Sequence, residues 1–283
     1  DAFVSPRTRN SVVPNLTTEK VLSADLNYAL RMAGLRVRLT GYYTKIKDQT
    51  DLISFYDDQN RAYTNFAMSG IDQTHVGLEL GVAVPLIAGI EAQGAFSYGN
   101  YYYTSNPYVT QTVDNSEAVI ANTRVYWKDM KVATTPQTAA SIGLNYRGPY
   151  NIYAGLDLNY YGRMYQSMNP LYRTDQALVN YDMFEPEKRE EMIRTMRNQE
   201  EFGDSFILNA NIGKSWYIQR KYNLGFSLEV KNILNNKDTK TGGYEQMRFK
   251  KNELNGKTYY TRFDPKYFYM FGTTYYLNIY FRF

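Results

Sequence analysis

Residues 21–32 read VLSADLNYALRM, and after Ala33-Gly34 the chain continues as LRVRLTGYYT over residues 35–44. In the first segment Leu22, Ala24, Leu26, Tyr28, Leu30 and Met32 share one parity, and Ser23, Asp25, Asn27, Ala29 and Arg31 the other. In the second, Leu35, Val37, Leu39, Gly41 and Tyr43 alternate with Arg36, Arg38, Thr40, Tyr42 and Thr44. A helix would bring Arg36, Leu39 and Tyr43 to one side and mix the classes; a strand separates them. The pair therefore reads as two strands joined by a tight turn.

The same period recurs along the chain. Val76, Leu78, Leu80, Val82 and Val84 alternate with Gly77, Glu79, Gly81 and Ala83. Further runs of this kind cover residues 90–99, 140–147, 151–161, 206–212 (where Ile207 breaks the polar face), 224–231 and 271–283, giving nine strands. Their connections alternate in length. Short turns lie at Ala33-Gly34, near residues 87–89, at 147–149 and near 219–221, and long loops at about 48–73, 104–137, 167–203 and 236–266. Soluble sandwiches seldom carry several loops beyond about 15 residues. Short turns on one rim and long loops on the other mark an antiparallel transmembrane β-barrel, with periplasmic turns and extracellular loops. Mid-strand apolar positions are Leu, Val, Ile and Ala, whereas Tyr43, Tyr98, Tyr146, Tyr160, Phe281 and Phe283 gather towards strand ends, where a membrane interface favours them.

Composition agrees. The mean hydropathy of −0.53 suits a wall whose alternate residues face a polar interior. No apolar run of about 18 residues is present, so no helical span is expected. There is no cysteine, which excludes disulfides, thiolate metal sites and thiol catalysis. His75, the one histidine, has Asp72 three residues before it and no further ligand set, so neither a metal nor a cofactor is expected. A net charge of +4 is too small to suggest a nucleic-acid partner.

Nine is odd, and single-chain bacterial barrels have even strand numbers. An unpaired edge cannot face hydrocarbon. Asp1–Phe283 is therefore read as part of a larger barrel, with residues 1–19, which hold Pro6 and Pro14, as the end of a preceding outer loop. The alternative is a free-standing barrel with one more strand within residues 104–130, where Val119, Ala121, Thr123 and Val125 alternate.

Four segments carry a family resemblance. Residues 271–283 end in Phe-Arg-Phe after an alternating run and resemble the terminal signal of outer-membrane barrels. Val230-Lys231-Asn232-Ile233-Leu234-Asn235-Asn236-Lys237 resembles the penultimate-strand motif of TonB-dependent receptors. Thr241-Gly242-Gly243-Tyr244-Glu245 and Ser5-Pro6-Arg7-Thr8-Arg9-Asn10 resemble Bacteroidetes members of that family. The resemblance implies the C-terminal nine strands of a barrel of about 22, without its plug domain and TonB box. It implies active uptake of a scarce nutrient and no enzyme activity. Implied partners are outer-membrane lipid and lipopolysaccharide, TonB through the N-terminal part of the family architecture, the barrel-assembly machinery and, for some members, a surface lipoprotein. Tyr275, Leu277, Ile279, Phe281 and Phe283 would form the assembly signal. A passive porin and an adhesion or structural barrel remain alternatives, separated from the receptor by whether a plug and TonB box precede the wall.

Candidate ligand contacts follow from parity. Tyr101 and Tyr103 on the fourth strand, and Tyr161, Arg163 and Tyr165 on the sixth, continue the inward series near the long-loop rim. Tyrosine faces stack on sugars or peptide groups and Arg engages carboxylates. Asp157 and Glu229 also read as inward, where such charges normally pair with neighbours. Residues 187–201 predict a short loop helix, with Pro186 in its first turn, acids early, Arg194 and Arg197 late, and Met192, Ile193 and Met196 as an apolar stripe packed on neighbouring loops.

Overall fold

A computed structural model describes residues 16–114, 118–133, 135–219 and 221–283; the Ser5–Asn10 motif and most of the expected leading loop lie outside them. The elements are β1 (Lys20–Met32), β2 (Leu35–Asp57), β3 (Ala62–Pro85), β4 (Ile90–Tyr103), β5 (Tyr108–Val113) and β6 (Val119–Arg124). They continue with β7 (Thr138–Arg147), β8 (Ile152–Gly162), β9 (Met164–Tyr165), α1 (Pro186–Arg197) and β10 (Glu201–Phe202). The remainder are β11 (Ser205–Ile218), β12 (Tyr222–Lys231), β13 (Lys240–Tyr244), β14 (Lys250–Leu254), β15 (Lys257–Thr261), β16 (Lys266–Tyr269) and β17 (Thr274–Arg282).

Nine strands form one antiparallel wall in the order β1-β2-β3-β4-β7-β8-β11-β12-β17. These are the nine that alternation marks out, and the register follows it. Met32 faces Leu35, Leu39 faces Leu80, Leu80 faces Phe96 and Leu228 faces Leu277. The Ala33-Gly34 turn is tight because both residues take positive φ, +35° and +92°, which matches the twist of the strands it joins. The wall stays open, since β1 and β17 each pair on one side only among the described residues. As first and last of an odd set they run parallel, so antiparallel closure needs an odd number of further strands between them.

One face of the wall is apolar and open: Leu26, Leu78, Ile142, Leu156, Ile212, Leu277 and Ile279 are all exposed. The other face is polar and cross-linked. Arg36 donates to Glu91 at 2.6 Å, and Asp157 accepts from Asn159 at 2.7 Å and Asn209 at 2.8 Å. Glu229 pairs with Lys231 at 3.4 Å. Glycines let inward tyrosines lie flat across the strands: a Cβ at Gly77, Gly213 or Gly225 would run into the ring of Tyr42, Tyr153 or Tyr280. A polar interior beside an open apolar exterior is stable only where lipid covers the outside.

The outer connections depart from the sequence reading. Residues 48–73 are not a loop. β2 and β3 continue as a paired ribbon to a turn between Asp57 and Ala62. Register shifts around Gln49, with Asp48 at φ +61°, break the parity there and hide the continuation from a periodicity reading. A strand does occur around Val119, but β6 pairs with β5, and β5 with the outer part of β3, so both lie off the wall. The loop helix ends at Arg197 and not at residue 201, because Asn198 turns extended and Glu201 joins a short ladder with Tyr165. The last strand begins at Thr274, three residues later than the alternation suggests.

That late start has a cause in the asparagine motif. Asn232 and Asn235 both take left-handed φ of +52°, a conformation asparagine tolerates. The Asn232 amide donates to the carbonyls of Asn236 at 2.8 Å and Phe271 at 2.9 Å, and its oxygen accepts the Asn236 N–H at 3.0 Å. Thr273 N–H donates to Asn235 at 3.1 Å. The motif thus clips the end of β12 to residues 271–273 and fixes where β17 enters the sheet. Asn232→Ala should cost about 2–3 kcal/mol, from lost hydrogen bonds in a buried site and an unfavourable φ. Hydrogen exchange of the β12–β17 amides checks this; unchanged protection would refute the clip.

Candidate functional site

Most of the buried apolar side chains among the described residues lie not in the wall but in the outer connections. Phe66, Met68, Ile71, Val109, Val125, Trp127 and Leu171 form one cluster, with Tyr103 packed on it. Tyr172, Ala177, Tyr181 and Met196 form a second, which Met192, Ile193, Phe249 and Tyr260 join. The β2–β3 ribbon, the β5–β6 hairpin, the α1 connection and the β13–β16 connection thereby share one ordered layer over the long-loop rim. The α1 stripe packs on neighbouring loops, as its spacing suggests.

An ion pair ties the layer together. Arg173 and Glu245 have side chains 0% and 1% exposed. Arg173 binds Glu245 through both terminal nitrogens, Nη2 at 2.9 Å, and donates to the carbonyls of Asn169 at 3.1 Å and Asn198 at 2.5 Å. Glu245 also accepts the Asn169 N–H at 2.7 Å and Arg262 at 2.5 Å. Burial pushes the Arg173 guanidinium below its ordinary range, and its bonds to Glu245 act in the opposite direction. The hydrogen bonds to both terminal nitrogens of Arg173 and to both oxygens of Glu245 are what permit charge at such depth, although the Arg173 Nε has no partner.

Beside this pair a cavity of about 440 Å³ opens between three connections. Phe249, stacked on Tyr260 at 4.8 Å, lines it together with Phe55. Asp57, Arg61, Arg248 and Lys251 bring charges of both signs to it. Gln176 donates to Gln59 at 3.0 Å across the gap, joining the ribbon tip to the α1 connection. Aromatic faces beside mixed charges suit a polar organic ligand with stacking groups. Parity could not find these residues, because they come from three separate connections, Gln59 and Gln176 meeting across 117 positions of chain.

The five side chains singled out by parity separate. Tyr101 is inward, stacked on His75 at 4.9 Å and hydrogen-bonded to Tyr42. Tyr161, between Ala139 and Ser205, keeps the inward parity and lines an inner hollow with Asn159 and Glu79. Tyr103 packs against Trp127, ring centres 4.7 Å apart and tilted by 36°, within the loop core. Arg163 is not inward. Its φ of +55° ends the alternation and carries the guanidinium over the outward ring of Tyr98, 4.7 Å from its centre. Tyr165 lies beside Arg163 and Glu201 at the same rim. No group of three or more His, Asp or Glu side chains poised for a metal occurs among the described residues.

Tyr181 offers a handle on the layer. Its hydroxyl donates to the Tyr260 carbonyl at 2.6 Å, and burial raises its pKa to about 12. An unfolded tyrosine titrates near 10. The neutral form is therefore favoured in the folded layer, and its stabilisation is complete below pH 10 and lost as pH rises from about 10 to about 12. Proteolytic cleavage within residues 170–200 should accelerate across that window; a pH-independent rate would refute it.

No family model and no curated protein matches the chain. Among solved structures it is similar to the outer-membrane transporter YddB from Escherichia coli, with 14% identity over 95% of this chain and a TM-score of 0.53. It is similar too to the copper transporter OprC, with 13% identity over 94% and a TM-score of 0.51. The fold is that of the TonB-dependent outer-membrane receptor barrel. The chain spans about a third of the length of the receptor structures it matches, 33% and 32%. The open wall thus resembles a sector of such a barrel in fold, and the loop layer lies at its long-loop rim.

Proposed function

We propose that residues 1–283 supply wall and outer loops to a TonB-dependent outer-membrane receptor that takes up a scarce nutrient actively. The observation that carries this reading is the ordered loop layer. Its loops interlock around a buried ion pair and enclose a cavity, which is the arrangement a capture surface needs, since preorganised contacts lose less entropy on binding. The polar inner wall supports a lumen that a plug domain would fill, and energy from TonB would displace it. Likeness to transporters, and not to enzymes, supports a non-catalytic role. The charges and aromatic faces at the cavity favour a polar organic ligand.

Two measurements on the full-length protein test this. Proteoliposomes should not swell in small-sugar solutions, and the growth defect of a deletion strain should equal, without adding to, that of a strain lacking TonB. Swelling would select a passive porin. Normal growth with lost surface attachment would select an adhesion barrel.

We further infer that the outward row Tyr275, Leu277, Ile279, Phe281 and Phe283, all exposed, is the signal read by the assembly machinery. Replacing Phe281 and Phe283 by Ser should reduce heat-modifiable barrel in outer membranes several-fold and leave ligand affinity per folded molecule unchanged. Normal yield with weakened binding would contradict this.

A further inference from the structure

The cavity among the ribbon tip, the α1 connection and the β13–β16 connection holds more free positive charge than its mixed lining suggests. Arg61, Arg248 and Lys251 line it together with Asp57 and Asp58. Asp57 is committed to its own turn. It accepts the N–H groups of Gln59 at 2.8 Å and Asn60 at 3.3 Å, and the side-chain amides of Asn60 at 2.8 Å and Gln111 at 3.0 Å. A carboxylate has about four acceptor sites, so none is left for a ligand. The cations are not neutralised in this way. Arg248 is held by neutral groups: its Nη2 donates to Gln246 at 3.0 Å, and its guanidinium lies 4.2 Å from the centre of the Phe263 ring. Its backbone carbonyl accepts the Tyr172 hydroxyl at 2.9 Å, which ties its position to the buried layer. Lys251 pairs with Glu253 at 3.2 Å, but both side chains are exposed and such a pair is weak. Arg61, at φ +51° in the ribbon turn, makes no hydrogen bond or ion pair among the described residues, and neither does Asp58. Three cations therefore stand against one free acid.

The rest of the lining offers few groups to a neutral ligand. The side chains of Gln59 and Gln176 bond each other at 3.0 Å, and the Thr258 and Tyr260 carbonyls accept Asn180 at 2.7 Å and Tyr181 at 2.6 Å. What remains is chiefly hydrocarbon, from Phe55, Leu171, Met247 and Phe249. A sugar or an uncharged peptide would set its hydroxyls or amides against that surface unpaired, at a cost. An inorganic anion would meet the cations and leave the hydrocarbon wet. The cavity of about 440 Å³ takes about 15 water-sized groups at about 30 Å³ each, the size of a two-ring body with one charged substituent.

We propose that this cavity takes an organic anion, an aryl carboxylate whose charged group is held by Arg61 and Arg248 and whose rings pack on Phe55, Leu171, Met247 and Phe249. The inference rests on the reading of the loop layer as a capture surface and names the class of ligand it captures. Arg61 comes from the ribbon tip and Arg248 from the β13–β16 connection, so one carboxylate between them joins two connections. Guanidinium groups suit that task, since their forked donors match a carboxylate.

The test uses the full-length protein in phosphatidylcholine vesicles and four probes: 2-naphthoate, its neutral isostere 2-naphthamide, the cation 2-naphthylmethylammonium, and acetate. Occupancy is read as slowed hydrogen exchange in residues 55–62 and 247–260, which partitioning of a probe into lipid does not produce. 2-Naphthoate should protect both segments with half-saturation at about 1 mM, as expected for a ligand of its size. The amide and acetate should need about tenfold more or beyond, and the cation should give no protection. Arg61→Gln and Arg248→Gln should each raise the 2-naphthoate half-saturation about tenfold, through loss of one charge-assisted contact. Asp58→Asn should lower it severalfold, because it removes the free acid. Lys237→Gln, beside Gly272 and outside the lining, should leave it unchanged. Absence of protection by 2-naphthoate, equal protection by the amide, stronger protection by the cation, or weaker binding in Asp58→Asn would overturn the proposal. The probe series needs only the wild type, so it decides even where an arginine variant fails to fold. Proteoliposomes that swell while 2-naphthoate still protects would reject the active-uptake reading and keep this site. TonB-dependent growth without protection by 2-naphthoate would do the reverse.

Discussion

Replacing Glu245 by alanine should loosen the outer loop layer by about 3–5 kcal/mol while the wall stays folded. The substitution strands the Arg173 guanidinium, whose side chain is 0% exposed, and it deprives Arg262 of its carboxylate partner. It also removes the acceptor of the Asn169 N–H. The loss is local, because the pair joins the connections around Asn169, Asn198 and Arg262 and makes no side-chain hydrogen bond to a wall strand among the described residues. Hydrogen exchange within residues 169–178 should therefore accelerate, and heat-modifiable migration should persist. A paired Arg173→Met and Glu245→Leu replacement should recover most of the protection, since removing both charges leaves none buried alone. Unchanged exchange in the alanine variant would show that the layer is held by its apolar clusters alone.

Leu80→Arg should cost about 2–4 kcal/mol, because it sets a charge on the lipid face near the middle of the apolar band. Leu80 lies in the row Tyr28–Leu39–Leu80–Phe96 and is exposed on the outside. Glu79→Gln, one residue away on the inner face, should be nearly neutral. Leu228→Arg on β12, between Ile212 and Leu277, should behave as Leu80→Arg does. Folded yield in outer membranes, read with denaturant titration in lipid vesicles, measures the difference. Comparable defects at Glu79 and Leu80 would reverse the assigned faces.

The wall was legible from sequence because its decisive forces are local and periodic. Each strand meets lipid on one side and a polar lumen on the other, so parity along residues 21–32 or 76–84 reports directly which way each side chain faces. Turn chemistry at Ala33-Gly34 sets the neighbour. Where the backbone leaves that regime, parity stops informing. The bulge near Gln49 concealed a paired ribbon behind the look of a loop, and the positive φ of Arg163 turned an apparently inward cation outward. The Asn232 motif was recognisable in the sequence, but its work as a clip became visible only when Phe271 and Thr273 were seen to meet it.

Apart from the apolar stripe of α1, the loop layer lay beyond such a reading. Arg173 meets Glu245, and Gln59 meets Gln176, through contacts spanning dozens of residues to more than a hundred, and no repeat links their positions. Alternation in this chain determined a transmembrane barrel sector and its lipid face, since the membrane imposes the same two-sided environment on every strand. The outer loop layer and its cavity were decided by tertiary packing, because burial there is created by the loops' contacts with one another and not by a solvent that the sequence could anticipate.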